Sequence, residues 1–170
     1  MALTNAYQVK YREVQRVTQW WVWGLVLLLA AFAVWGFVQQ VVFDKPFGSH
    51  PAPDLAVVIL LIVFGLGLPA FLLSFHLKVD VTDEAIRLRV FPIWSRTISL
   101  SNIRECRPRV YRPLLEYGGW GIRWTPHRGW AYNVSGNGGV QLTLAKGRPV
   151  LIGSQQPEQL AAAIAAAMGC

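Results

Sequence analysis

The chain has 170 residues, a formal net charge of +7, eight tryptophans and only two cysteines. Cys106 and Cys170 lie too far apart in sequence to indicate a disulfide framework, and no pair among His50, His76 and His127 has the spacing of metal ligands. A mean hydropathy of +0.35 is high for a chain without lipid contact, and it is concentrated in the first half.

Residues 1–16 are a polar lead with apolar entries at Tyr7, Tyr11, Val14 and Val17, a spacing that predicts a helix lying along a membrane surface or a domain. Between Arg16 and Asp44 there are 27 residues without a formal charge, and between Asp54 and Lys78 there are 23. At about 1.5 Å per helical residue, each run is long enough for the roughly 30 Å of hydrocarbon in a bilayer. The expected organisation is therefore a cytoplasmic segment 1–16, transmembrane helices 17–43 and 55–77 joined by an external loop 44–54, and a globular domain 78–170.

Trp20, Trp21 and Trp23 mark the membrane interface of the first span, because indole rings favour the headgroup level. Ala31-Phe32-Ala33 has the look of a cleavage site, but the apolar run continues past it, so a permanent anchor is expected. Ala2 gives no myristoyl acceptor and Cys170 no prenylation box. In the second span Gly65 and Gly67 precede Pro69. They read either as a tolerated kink or as a helix-packing face for another membrane protein. Lys10, Arg12 and Arg16 before the first span and Lys78, Arg87 and Arg89 after the second predict that both termini are cytoplasmic.

From Leu77 the period changes to that of strands. Ile86, Leu88 and Val90 alternate with Arg87 and Arg89; Phe91-Pro92-Ile93 turns; the stretch Trp94 to Leu100 follows. Ile103 to Tyr111 is a strand in which Pro108 marks an edge or a bulge, and Leu114 to Gly119 is a glycine-relaxed bend. Trp120, Ile122 and Trp124 then oppose Trp130, Tyr132 and Val134 across a Pro126–Gly129 turn. Val140 to Leu144 and Val150 to Ile152 complete about seven strands, and Leu160, Ile164 and Met168 form one face of a terminal helix.

This layout resembles the pleckstrin-homology (PH) superfold. The segments Val81–Ile86, Arg96–Ile103, Gly139–Leu144 and Val150–Leu160 are similar to bacterial PH-like domains attached to transmembrane hairpins. The block Tyr111 to Gly121 resembles that of an uncharacterised bacterial membrane protein family with two N-terminal spans. The resemblance implies an α+β membrane protein: a two-helix hairpin followed by an antiparallel β-barrel or sandwich closed by one C-terminal helix. It implies much less about ligand, since one fold hosts many functions.

Residues 78–170 carry 12 Lys and Arg against 6 acids. Arg104, Arg107, Arg109 and Arg112 fall within nine residues. They read as a solvated face, as a contact for anionic headgroups, or as a contact for an acidic protein surface. Tyr117, Trp120, Trp124, Trp130 and Tyr132, with Arg123 among them, are either barrel filling or an interfacial patch. No catalytic, metal or cofactor site is expected, nor a nucleic-acid or small-molecule ligand. The expected function is a non-enzymatic, membrane-anchored interaction protein of a bacterial inner membrane. Its concrete form is a small accessory subunit stabilising a larger membrane complex, of respiratory or photosynthetic type, through lipids and other integral subunits. The alternative is a peripheral anionic-lipid sensor without a fixed protein partner.

Overall fold

The computed structural model describes residues 8–45 and 52–169. Tyr7, most of the loop between the apolar runs with His50, and Cys170 therefore lie outside the described residues. The chain divides into two compact units, residues 18–74 and residues 1–17 with 75–170.

The first unit is a helical hairpin. Helix α1 (Trp20–Phe37) ends in a wider π-helical stretch, Val38–Val42. The return helix comprises α2 (Asp54–Leu60), a π-helical segment Leu61–Gly67 and α3 (Leu68–Ser74). Widening just before Pro69 has a local cause, because a proline ring clashes with the carbonyl four residues back and lacks an N–H for the ordinary ladder. Both helices, Trp20–Val42 and Asp54–Ser74, are long and apolar enough to cross a membrane, with mean hydropathies of 2.2 and 2.8. They meet through Val26, Ala33 and Gly36 on α1 and Val57 on α2, all buried. A space of about 240 Å³ remains between them, lined by residues including Phe32, Ala33, Gly36, Val57 and Phe64. At its end the buried Gln40 donates to the Ala52 carbonyl at 2.6 Å and the Asp54 carboxylate at 2.7 Å, which fastens the two helices where the loop begins.

The second unit holds nine strands in two sheets among the described residues, not about seven. Sheet A has the order β1-β2-β3-β4, from β1 (Val9–Arg16), β2 (His76–Thr82), β3 (Ala85–Phe91) and β4 (Trp94–Ser99). Sheet B has the order β5-β8-β9-β7-β6, from β5 (Ile103–Val110), β6 (Gly121–Thr125), β7 (Gly129–Asn133), β8 (Gly138–Leu144) and β9 (Val150–Gly153). Of the expected antiparallel barrel or sandwich, a closed barrel is not formed: among the described residues no ladder joins the two sheets, and β7 pairs with β9 in parallel, so the pairing is not wholly antiparallel. The helix α5 (Pro157–Met168) packs on both sheets, burying Leu160, Ala161 and Ile164 in a core shared with Leu77, Val79, Leu88, Val140 and Ile152.

Residues 9–16 are a strand, not the expected helix. Antiparallel to β2, β1 places Arg16 opposite His76 and Arg12 opposite Asp80. Its fully buried residue is the polar Gln15, whose amide donates to the Gly153 carbonyl at 2.5 Å, so hydrophobic period could not reveal the inward side. Gly153 has no room for a side chain: a Cβ there would lie 2.8 Å from that of Asn133. Glu13 extends the tie, accepting from the Ser154 hydroxyl at 2.6 Å and the Gln155 N–H at 2.7 Å. Pro108 sits on β5, an edge strand, where a missing donor costs no ladder bond on the open side. The second apolar run leaves helix at Ser74, and His76 and Leu77 already belong to β2.

A soluble form of the second unit follows from this register. Replacing residues 18–74 by a short glycine-rich turn is expected to give a cooperatively unfolding protein by circular dichroism. The fragment 78–170, which lacks β1 and the start of β2, is expected to show no cooperative transition.

Candidate functional site

The most unusual surface of the second unit surrounds α4 (Pro113–Tyr117), the short helix that replaces the expected bend. Proline fits its first turn, and Gly118 ends it with φ of 73°, a left-handed conformation that a side chain would strain. Leu114 and Leu115 project outward at 64% and 77% exposure, and the adjacent Val110 is 74% exposed. Beneath them Tyr111 and Tyr117 are buried with Ala131 and Leu151, their rings edge to face at 6.1 Å. A buried aromatic base thus holds out an apolar knob.

Glu116 fixes this helix. One carboxylate oxygen accepts from Arg109 at 2.8 Å and Arg128 at 2.5 Å, and the other accepts the Arg112 backbone N–H at 2.8 Å. Burial alone would raise its pKa; the Arg112 N–H and the two guanidinium groups outweigh that and hold the carboxyl below the ordinary range. The Tyr111 hydroxyl accepts from Asn133 Nδ2 at 2.8 Å, and Asn133 Oδ1 accepts the Gly121 N–H at 2.9 Å. Burial pushes the Tyr111 phenol up to about 12 and, with Glu13 nearby, the Tyr11 phenol likewise.

The structure brings part of the expected site together. Arg109, Arg112 and Tyr117 belong to α4 and its support, and the Arg123 guanidinium lies beside Gly119 and Leu114, donating to the Trp120 carbonyl at 3.0 Å. Trp120 donates its indole N–H to the Gly136 carbonyl at 2.9 Å. Arg107 is exposed but pairs with its neighbour Glu105 at 2.5 Å, so it presents less net charge than the sequence implies. Arg104 is exposed on β5. Among the described residues no acid pairs with the guanidinium of Arg104 or Arg112. Trp130 is half-buried against the core beside the fully buried Tyr132, whereas Trp124, on the edge strand β6, is 49% exposed under Arg148. The tryptophan set therefore divides between core and surface.

In the hairpin, Trp20 and Trp21 are exposed and Trp23 half-buried in the first turns of α1. Gly65 and Gly67 both lie in the π-helical segment; a Cβ at either would meet atoms of their own helix, Leu61 at 2.9 Å and Ile62 O at 3.2 Å. The small residues that face the other helix are Ala33 and Gly36, which the sequence reading passed over. It also passed over Leu114, Leu115 and Glu116 as parts of a site, though Pro113 followed by Gly118 five residues later signals a short capped helix.

Two pH dependences follow. Glu116→Gln is expected to lower unfolding stability near neutral pH by about 2 kcal/mol, the size of charge-assisted hydrogen bonds to a partly buried group. It should also remove one contribution to acid destabilisation. A depressed carboxyl stabilises the fold above the ordinary carboxylate value and loses that effect as pH falls through its lower folded value. On the alkaline side, Tyr11 and Tyr111 ionise near 10 when unfolded and near 12 when folded, so their stabilisation is whole below about pH 10 and declines towards 12. Denaturant unfolding at stepped pH, with phenolate absorbance in parallel, measures both.

No curated protein and no solved structure matches the chain. The Family of unknown function (DUF6141) matches residues 5–170, both apolar helices and every strand included, and the chain belongs to that family.

Proposed function

We propose that this protein is a non-enzymatic, membrane-anchored interaction module whose helical hairpin is embedded in a bacterial inner membrane and whose α4 surface binds a partner subunit. The observation that carries this reading is the knob of Val110, Leu114 and Leu115, exposed yet held rigid by Glu116 and its arginines. Clustered apolar surface with a cationic rim matches the make-up of protein interfaces, in which an apolar centre and arginine recur. In its concrete form the protein is a small accessory subunit of a larger membrane complex. The lipid-facing surface of the hairpin, Gly65 and Gly67 included, is available to a neighbouring helix. The basic residues that flank the two helices favour cytoplasmic placement of both termini and of the sheets.

The PH-like reading draws support from a subset of the strands. The meander β1 to β4, the antiparallel trio β5-β8-β9 and α5 make seven strands followed by one helix, with the β6–β7 hairpin inserted between β5 and β8. A second reading, contact with anionic headgroups, is favoured by Arg104 and Arg112, exposed near the two ends of β5 with no acid paired to either guanidinium among the described residues.

Purification in mild detergent tests the first reading. The wild-type chain is expected to bring down a membrane protein in fixed proportion, and the Leu114→Asp/Leu115→Asp variant to lose it while remaining folded. Recovery of the wild-type chain alone, repeatedly, would contradict the reading. Vesicle flotation of the hairpin-free second unit tests the other reading. Binding to anionic vesicles that falls on Arg104→Glu/Arg112→Glu supports headgroup contact, and indifference to lipid charge removes it.

A further inference from the structure

The two connections to the helical hairpin leave sheet A at one end. Arg16, the last residue of β1, is opposite His76, the first of β2, and His76 is opposite Phe91, the last of β3. The turn from β3 to β4, Phe91 to Trp94, therefore shares that end, with Val90 opposite Trp94. Three residues separate Arg16 from α1, and one separates His76 from the end of α3. Tethers this short reach on the order of 10 Å.

The chemistry of that end differs from the rest of the sheet. Phe91 and Ile93 are 44% and 62% exposed at the tip of the turn. With Arg89, Pro92, Trp94 and Ser95 they border a shallow hollow of about 440 Å³. The tip is braced from behind: His76 stacks on Phe91 at 5.3 Å, and Trp94 stacks on the buried Tyr132 at 5.0 Å. The three rows of register nearest the tethers carry the cations Arg16, Lys78 and Arg89 and no acid, although Lys78 reaches back to Asp80 at 3.5 Å. Every acid of the sheet lies farther off: Glu13, Asp80, Asp83 and Glu84, balanced there by Lys10, Arg12, Arg87 and Arg96. Charge is thus graded along the strands, cationic and apolar at the tethered end, neutral overall at the other.

We propose that the Phe91-Pro92-Ile93 turn is a membrane-dipping loop, seated in the headgroup region of an anionic leaflet with Arg16, Lys78 and Arg89 around it. This rests on the reading of the hairpin as membrane-embedded and adds to it a second, non-helical lipid contact. Apolar tips with flanking aromatic and basic side chains suit the interface, where rings and long cationic chains bridge hydrocarbon and water. Headgroup charge then favours the cationic end of the sheet over the balanced one.

Depth-dependent quenching tests it. The full chain with Cys106→Ser and Cys170→Ser is reconstituted in vesicles of phosphatidylcholine and phosphatidylglycerol, with one fluorophore attached at Ile93→Cys, Asp83→Cys or Ile62→Cys. Nitroxide-bearing lipids are then added. Loss of emission is expected at position 93 with shallow quenchers and at 62 with deep ones, and none at 83, where the same label controls for its own affinity for lipid. Quenching at 62 but not at 93 overturns the loop proposal and leaves the anchor standing. No quenching at 62 overturns the anchor itself, and the loop proposal falls with it.

Discussion

Pairing of β1 with β2 is the constraint on which the rest depends. The two strands flank the whole helical hairpin in sequence, yet Arg16 and His76 are direct neighbours in the sheet. An insertion can be tolerated there because strand ends about 5 Å apart and packed helix axes about 8–10 Å apart differ by only a few ångströms, which the three residues after Arg16 and the one before His76 can span. Without β1 the inner side of the fold would lose Gln15 and Glu13, which tie the first strand to the end of β9 and the approach to α5.

That same constraint orders the surfaces. Both connections leave sheet A at the end that carries Arg16, Lys78, Arg89 and the exposed Phe91 and Ile93, and α4 presents its own apolar knob on the β5–β6 connection. The two surfaces are built differently. The turn after β3 is braced by stacked rings, whereas α4 is held by one carboxylate that gathers two guanidinium groups and a backbone N–H. Rigid presentation in each case limits the ordering cost that a flexible loop would incur on binding.

Much of this was legible in the sequence. The two uncharged runs gave helices whose ends differ from them by a few residues, and clean alternation at Ile86, Leu88 and Val90, or Val140, Leu142 and Leu144, gave strands with those side chains buried. Leu160 and Ile164, four apart, are fully buried on α5 as their spacing requires. Strand β1 was hidden because its one buried residue is a glutamine satisfied by a partner 138 positions away, which no local pattern can reveal. The α4 surface was half visible: the arginines stood out, but their meaning depends on Glu116 and Glu105, whose pairings are set by the fold. Pairing of β7 with β9 in parallel was equally beyond reach, since alternation fixes a strand's faces and not its neighbour.

Cysteine cross-linking in intact membranes tests the central constraint most directly. In a Cys106→Ser/Cys170→Ser background, Val14→Cys and Lys78→Cys occupy opposed positions on β1 and β2, at a separation that a disulfide can span. Val14→Cys with Arg89→Cys lies one strand farther apart, beyond that reach. Mild oxidation is expected to join the first pair rapidly and leave the second reduced. Failure of the first pair to join, or equal yields from both, would contradict the pairing of β1 with β2.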